Sequence, residues 1–166
     1  MLDKYAFKFE GEQNNSYLFT TQQGVVYEIK FKDFFYFFDV NAPYSHFTYE
    51  FVIEVLDKTE NIKIISDSRI PPTIVAIFDD FYARYSETVV IYICDSSDSK
   101  QMARQRKFSS WFIRFNKEHF FKVDAFLSDA IDEIIPISIV VRRDNPYKYQ
   151  ILQDFERITD GYSNEK

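Results

Sequence analysis

The hexapeptide VVIYIC, Val89 to Cys94, decides the fold. It is apolar throughout and does not alternate. A run this short is a central strand covered on both sides. A polar turn, Asp95-Ser96-Ser97-Asp98, follows it, and a helical pattern then runs from about Ser99 to about Asn116. A buried strand therefore hands over directly to a helix.

A second helix precedes the strand. Pro71 and Pro72 break the structure before them and suit a first helical turn. Ile74, Ile77, Phe78, Phe81 and Tyr85 then share one face, while Asp79, Asp80 and Arg84 lie off it, and Asp79-Asp80 reads as solvated. Further toward the N-terminus the period changes to two. Tyr5, Phe7 and Phe9 alternate with small or polar neighbours. So do Val25, Tyr27, Ile29 and Phe31, and later Phe47, Tyr49, Phe51, Ile53 and Val55. Tyr17 and Phe19 mark another short strand. One aromatic face at period two means a half-buried antiparallel sheet. Short connections through Gly11–Asn15 and Gln22–Gly24 make it a meander. Toward the C-terminus, Phe121, Val123, Ala125 and Leu127 alternate, as do Ile137, Ile139 and Val141. Asn145-Pro146 is a cap followed by proline at a helix start. Ile151, Leu152, Phe155 and Ile158 give the last helix its apolar face.

The order predicts an α+β fold: an antiparallel β-meander followed by alternating helices and strands, a two-layer sandwich with about three helices. The last meander strand, the first helix and Val89–Cys94 form one right-handed crossover. One domain spans 1–162, with 163–166 as a frayed C-terminal tail.

Composition bounds the chemistry. The chain has 166 residues, enough for a sizeable core without metal or disulfide. Isolated Gly11, Gly24 and Gly161 cannot build a phosphate-cradling loop. With so few glycines, left-handed turn positions fall largely to Asn and Asp. A single cysteine excludes an intramolecular disulfide and any multi-cysteine zinc site. The N-terminus carries no basic-then-apolar leader, and no apolar run is long enough to span a bilayer. The expected compartment is the cytoplasm, with no membrane contact.

The net charge of −6 is unevenly spread. Lys100, Arg104, Arg106, Lys107, Arg114, Lys117 and Lys122 face only Glu118 between residues 100 and 122. That is a local +6, which leaves −12 on the rest. Such asymmetry marks either an anionic partner or a basic helix packed beside the protein's own acids. On the second helix, Arg104, Phe108, Trp111 and Phe115 fall in one stripe at about 100° per residue, so Arg104 lies on the face that meets the sheet. Met102, Arg106 and Ile113 point away. An arginine there is paired or opens into a cleft. Asp95, at the end of the central strand, and Asp67 are its natural partners. Either a closed structural bridge or an anion-binding pocket walled by Trp111 satisfies the pattern.

Other candidates have plain explanations. Asp98, with Gln101 three residues on, makes a capping-box pair worth about 1 kcal/mol. Cys94 belongs to a buried strand and reads as inert core. His46 and His119 show no metal-ligand spacing. Asp95 and Asp98 could hold Mg²⁺ in a hydrolase or nuclease with Arg104 as electrostatic stabiliser, but two acids are a weak signal. Five consecutive aromatics, Phe34-Phe35-Tyr36-Phe37-Phe38, cannot all face one core if extended. Some must meet a second element or a partner.

The block Cys94-Asp95-Ser96-Ser97-Asp98, with Arg104, Arg106, Phe108 and Trp111-Phe112, resembles a family of small bacterial proteins defined only as a domain of unknown function. Asp67-Ser68-Arg69-Ile70 through Thr73-Ile74 is similar to that family's other signature. The resemblance brings no activity, substrate or cofactor. It adds weight to a site formed by Asp67, Arg69, Asp95 and Arg104. The expected function is a non-enzymatic binding or regulatory module, taking a protein partner or an anionic ligand through Asp95–Arg106. The candidate binding residues are Asp67, Arg69, Asp95, Asp98, Arg104, Arg106 and Trp111, with no metal ligand and no cofactor. Nucleic acid is weakly supported, and a homo-oligomer stays open. The metal-dependent hydrolase and an aromatic interaction surface at Phe34–Phe38 are the alternatives.

Overall fold

The computed structural model describes residues 3–57, 67–94, 101–115, 118–128 and 133–163. Strands β1 (Lys8–Gly11), β2 (Ser16–Thr20), β3 (Val26–Asp33) and β4 (Thr48–Asp57) form the meander. Helix α1 (Ile70–Arg84), strand β5 (Val89–Ile93) and helix α2 (Gln101–Phe115) follow. Strands β6 (Phe120–Ser128) and β7 (Ile134–Arg142) then lead to helix α3 (Lys148–Ser163). Among the described residues the seven strands share one sheet in the order β1-β2-β3-β4-β5-β7-β6. Only β4 and β5, among the described residues, pair in parallel, and α1 lies in the connection between them. The expected α+β fold, with meander first and alternation after, is the one the chain adopts.

The two faces of the sheet carry separate cores. On one face Tyr17, Ile29, Phe31 and Phe51 pack against Ile77, Phe78 and Phe81 of α1 and Phe108 of α2. Aromatic contacts dominate this core. Phe31 stacks on Phe81 at 4.0 Å, Phe51 lies 4.8 Å from Phe78, and Tyr92 lies 4.5 Å from Phe108. On the opposite face Val89, Ile91, Ile137, Ile139 and Val141 pack against Ile151 and Phe155 of α3, with Phe34, Phe38 and Tyr44 from the β3–β4 connection. The β1–β4 half is thus the expected two layers, and α3 adds a third layer over β5–β7. The unalternating runs of β5 and β7 are the physical reason, since both faces of these strands need an apolar cover.

Several boundaries shift. Tyr5 and Phe7 precede β1 rather than lying in it, and α3 starts after Asn145-Pro146, with the Asn145 side chain accepting from the Tyr147 N–H at 2.8 Å. α3 continues through Gly161 to Ser163, and residues 164–166 of the expected tail lie outside the described residues. Left-handed positions fall to Glu12, Asn15 and Glu118 as well as Gly11 and Gly24, so glutamate takes the place expected for aspartate. Cys94 is buried as expected.

Candidate binding face

Asp67 and Arg69 sit just before and at the start of α1. Two prolines occupy its first turn, so the helix begins without two of its N–H donors. Asp67 organises this start. Its carboxylate accepts from the Arg69 N–H at 2.9 Å and from the Tyr5 hydroxyl, and the Arg69 Nε lies 3.6 Å away. The Arg69 guanidinium lies 4.2 Å over the Tyr5 ring and donates to Gln22 Oε1 at 2.8 Å. The Tyr5 N–H donates to Thr73 Oγ1 at 2.9 Å, and that hydroxyl donates to the Arg69 carbonyl at 2.6 Å. Burial pushes the Asp67 carboxyl up. The bonds from Tyr5 and the Arg69 N–H, with the Arg69 charge, outweigh it and hold the group below the usual carboxylate range. Burial and the Asp67 carboxylate push the Tyr5 hydroxyl up. These residues latch the N-terminal segment to α1.

The same device recurs twice. Tyr17 on β2 donates to Asp80 at 2.5 Å, Arg84 Nε donates to Asp80 at 2.7 Å, and the Arg84 guanidinium lies 3.8 Å over Phe9. Buried Tyr44 donates to Asp154 of α3, which also accepts from Arg157 at 2.9 Å. Each Tyr–Asp–Arg set ties a helix to a distant segment through a buried ring. The Asp80–Arg84 spacing was visible in the sequence, but Tyr17 is 63 residues from Asp80. Asp80 is therefore engaged with Tyr17 and Arg84 rather than simply solvated.

Asp95 and Asp98 lie outside the described residues, and of Arg104 only the helical backbone is described. Whether Asp95 meets Arg104 is thus not part of the described geometry. The polar residue that α2 visibly buries is Gln105, 8% exposed and beside Phe108 on the inward face. β6 also places a cation beneath α2. Lys122, with its side chain 9% exposed, donates to Ser109 Oγ at 2.8 Å, pairs with Asp124 and lies 5.6 Å over Phe108. Ser138 Oγ donates to Asp124 at 2.6 Å. Burial raises the Asp124 carboxyl, and Lys122, Ser138 and Ser109 outweigh it, leaving it below its ordinary value. Ser109 of α2, Lys122 and Asp124 of β6 and Ser138 of β7 thus form one cluster that fastens α2 to the sheet.

The outward face of α2 has different chemistry. The helix carries Arg104, Arg106, Lys107 and Arg114 and no acidic residue. Arg106, Lys107, Ser110 and Arg114 are exposed beside exposed Met102, and Lys107 Nζ lies 5.7 Å over the half-buried Trp111 ring. Trp111 packs its other side against Phe108 in the core. Of the residues singled out from sequence, Arg106 and Trp111 share this face, while Asp67 and Arg69 belong to the latch at the start of α1.

Of the aromatic run, Phe34 and Phe38 are buried and Phe37 packs beside them, whereas Phe35 and Tyr36 (64% exposed) turn outward. Phe35 stacks on His46 at 5.9 Å, with exposed Phe47 next in sequence. Among the described residues no three His, Cys, Asp or Glu side chains are grouped as metal ligands, and no helix is long and apolar enough to cross a membrane.

Comparison with curated proteins finds no match, and neither does comparison with solved structures. A family model does match, described as a family of unknown function (DUF6169), over residues 66–157. That span is more than half of the chain. It runs from the approach to α1 through most of α3, so it contains the Asp67–Arg69 pair, α2 and the Lys122 cluster, and leaves the meander outside. This chain belongs to the family of unknown function DUF6169.

Proposed function

We propose that the protein is a non-enzymatic binding module that engages an acidic segment of a protein partner through the outward face of α2. The observation that carries this is the charge of that helix. Three exposed cations, Arg106, Lys107 and Arg114, lie on this face of a helix with no acid, in a chain whose net charge is −6, so the rest of the chain carries −9. A cationic face in an acidic molecule attracts compact negative segments and orients them, while the surrounding field repels extended polyanions such as nucleic acid. Met102 and the Trp111 ring edge give the face apolar contacts beside its charges. Comparative affinity capture from the native cell tests this. Proteins retained by the wild type and released by moderate salt are expected to be missing with Arg106→Glu/Lys107→Glu/Arg114→Glu. An identical set on both baits would overturn the proposal.

A second observation supports another surface. Exposed Phe35 contacts both the Tyr36 ring and His46, and Phe47 beside His46 in sequence is exposed as well. Exposed aromatics on a rigid turn suit a protein contact. Phe35→Ser/Tyr36→Ser leaves the buried Phe34 and Phe38 in place, and loss of partners with that variant alone would move the function there.

A further inference from the structure

The two edges of the sheet are built differently. At one edge, β1 is short, is interrupted by a register shift between Phe9 and Gly11, and carries Lys8 and Glu10. Those are the devices by which edge strands avoid pairing with other chains. At the other edge, β6 runs from Phe120 to Ser128 in unbroken register with β7, without proline. Its charges, Lys122 and Asp124, pair with each other, the Lys122 side chain 9% exposed and the Asp124 side chain 42% exposed, so the strand presents both signs side by side rather than a single repelling charge. Val123 (38% exposed) and Phe126 (48% exposed) remain uncovered on this strand. Among the described residues β6 has one neighbour, β7.

We infer that β6 pairs with β6 of a second copy of this chain, in antiparallel register about a two-fold axis through Val123, making one continuous sheet across the dimer. The sequence of the strand argues for this occupant. An antiparallel two-fold between edge strands stands perpendicular to the sheet and keeps each face on its own side, so it passes through a single residue. With the axis at Val123, Lys122 of each copy lies opposite Asp124 of the other, Phe121 opposite Ala125, and Phe120 opposite Phe126. Opposite charges meet, and a large ring meets a small side chain. Moving the axis to Lys122 or Asp124 sets like charges directly against each other, which is destabilising. Lys122 and Asp124 share a face, so the dimer joins their two intramolecular pairs into one four-charge network.

Val123→Cys reads out both the contact and the register. Directly opposite residues in an antiparallel pair have Cα atoms about 4.5–5.5 Å apart, within the span a disulfide bridges. Buried Cys94 does not compete. The wild type is expected to sediment as a dimer, and Val123→Cys to form a covalent dimer on mild oxidation. Lys8→Cys on the opposite edge should stay uncrosslinked. Val123→Lys should sediment as a monomer with an unchanged circular dichroism spectrum; if it fails to fold, the cysteine readout still decides. A monomeric wild type, or a dimeric wild type whose Val123→Cys form does not crosslink, overturns the inference, and the second result would leave the edge to another strand or register.

Discussion

Replacing Asp67 by alanine separates a latch from a ligand site. The carboxylate accepts from the Tyr5 hydroxyl and from the Arg69 N–H, and lies 3.6 Å from the Arg69 Nε. A hydrogen bond to a charged group contributes about 1.5–3 kcal/mol net. The partly exposed ion pair adds only about 0.2–1 kcal/mol. With two such bonds and the ion pair, Asp67→Ala should therefore lower the unfolding free energy by roughly 3–7 kcal/mol. Tyr5→Phe removes the shared hydroxyl, which also accepts from the Gln22 N–H at 3.2 Å, and should cost about 1.5–3 kcal/mol. Because the two changes delete the same bond, the double variant should fall short of their sum by about 1–2 kcal/mol. Urea unfolding followed by far-ultraviolet circular dichroism and by Trp111 fluorescence measures all four corners of the cycle. Additivity within about 0.3–0.5 kcal/mol would refute the latch. A gain in stability from Asp67→Ala would go further, since it would mark a carboxylate kept for binding at the cost of the fold.

Other consequences follow from the same geometry. The carboxyls of Asp67, Asp80 and Asp124 are held below their ordinary values, so their stabilisation is complete above the unfolded carboxyl pKa of about 4 and is lost as pH falls below it. Burial and the partner aspartates push the Tyr5 and Tyr17 hydroxyls up, so stability should also fall as pH rises above the unfolded tyrosine pKa of about 10. A thermal melt series across pH that is flat at both ends would contradict this. Phe81→Ala opens a cavity where Phe31, Tyr49 and Tyr85 converge and should cost about 3–5 kcal/mol in urea unfolding, with a cost under about 1 kcal/mol refuting the aromatic core. Native Cys94 should react with a thiol reagent far more slowly than the urea-unfolded chain, and equal rates would contradict its burial.

Local pattern in the sequence carried most of the architecture. Period-two alternation marked the meander, Pro71-Pro72 marked the start of α1, and the apolar run from Val89 marked a strand covered on both sides. That same run called for cover on both faces, yet the two-layer reading left out the third layer, because which helix supplies it depends on chain direction after β7, which periodicity does not encode. The cationic outer face of α2 was legible because charge and helical angle are both local. The Tyr–Asp–Arg latches were not, because Tyr5, Tyr17 and Tyr44 look like ordinary core rings until their hydroxyls meet aspartates 62, 63 and 110 residues away. The Lys122 cluster beneath α2 was not legible, because alternation along β6 does not show which helix its charged face meets. Lys122 reaches α2 from β6 because its strand face turns toward Ser109 and Phe108.

The central claim is that the outward face of α2 binds acidic segments, and Trp111 is the chain's single tryptophan. Its fluorescence therefore reports directly on that face. Titration with an oligoglutamate peptide at low salt should give a saturable change, weakened at least about tenfold by physiological salt or by Arg106→Glu/Lys107→Glu/Arg114→Glu. A wild-type signal that does not change, or an equal affinity in the triple variant, would contradict the claim.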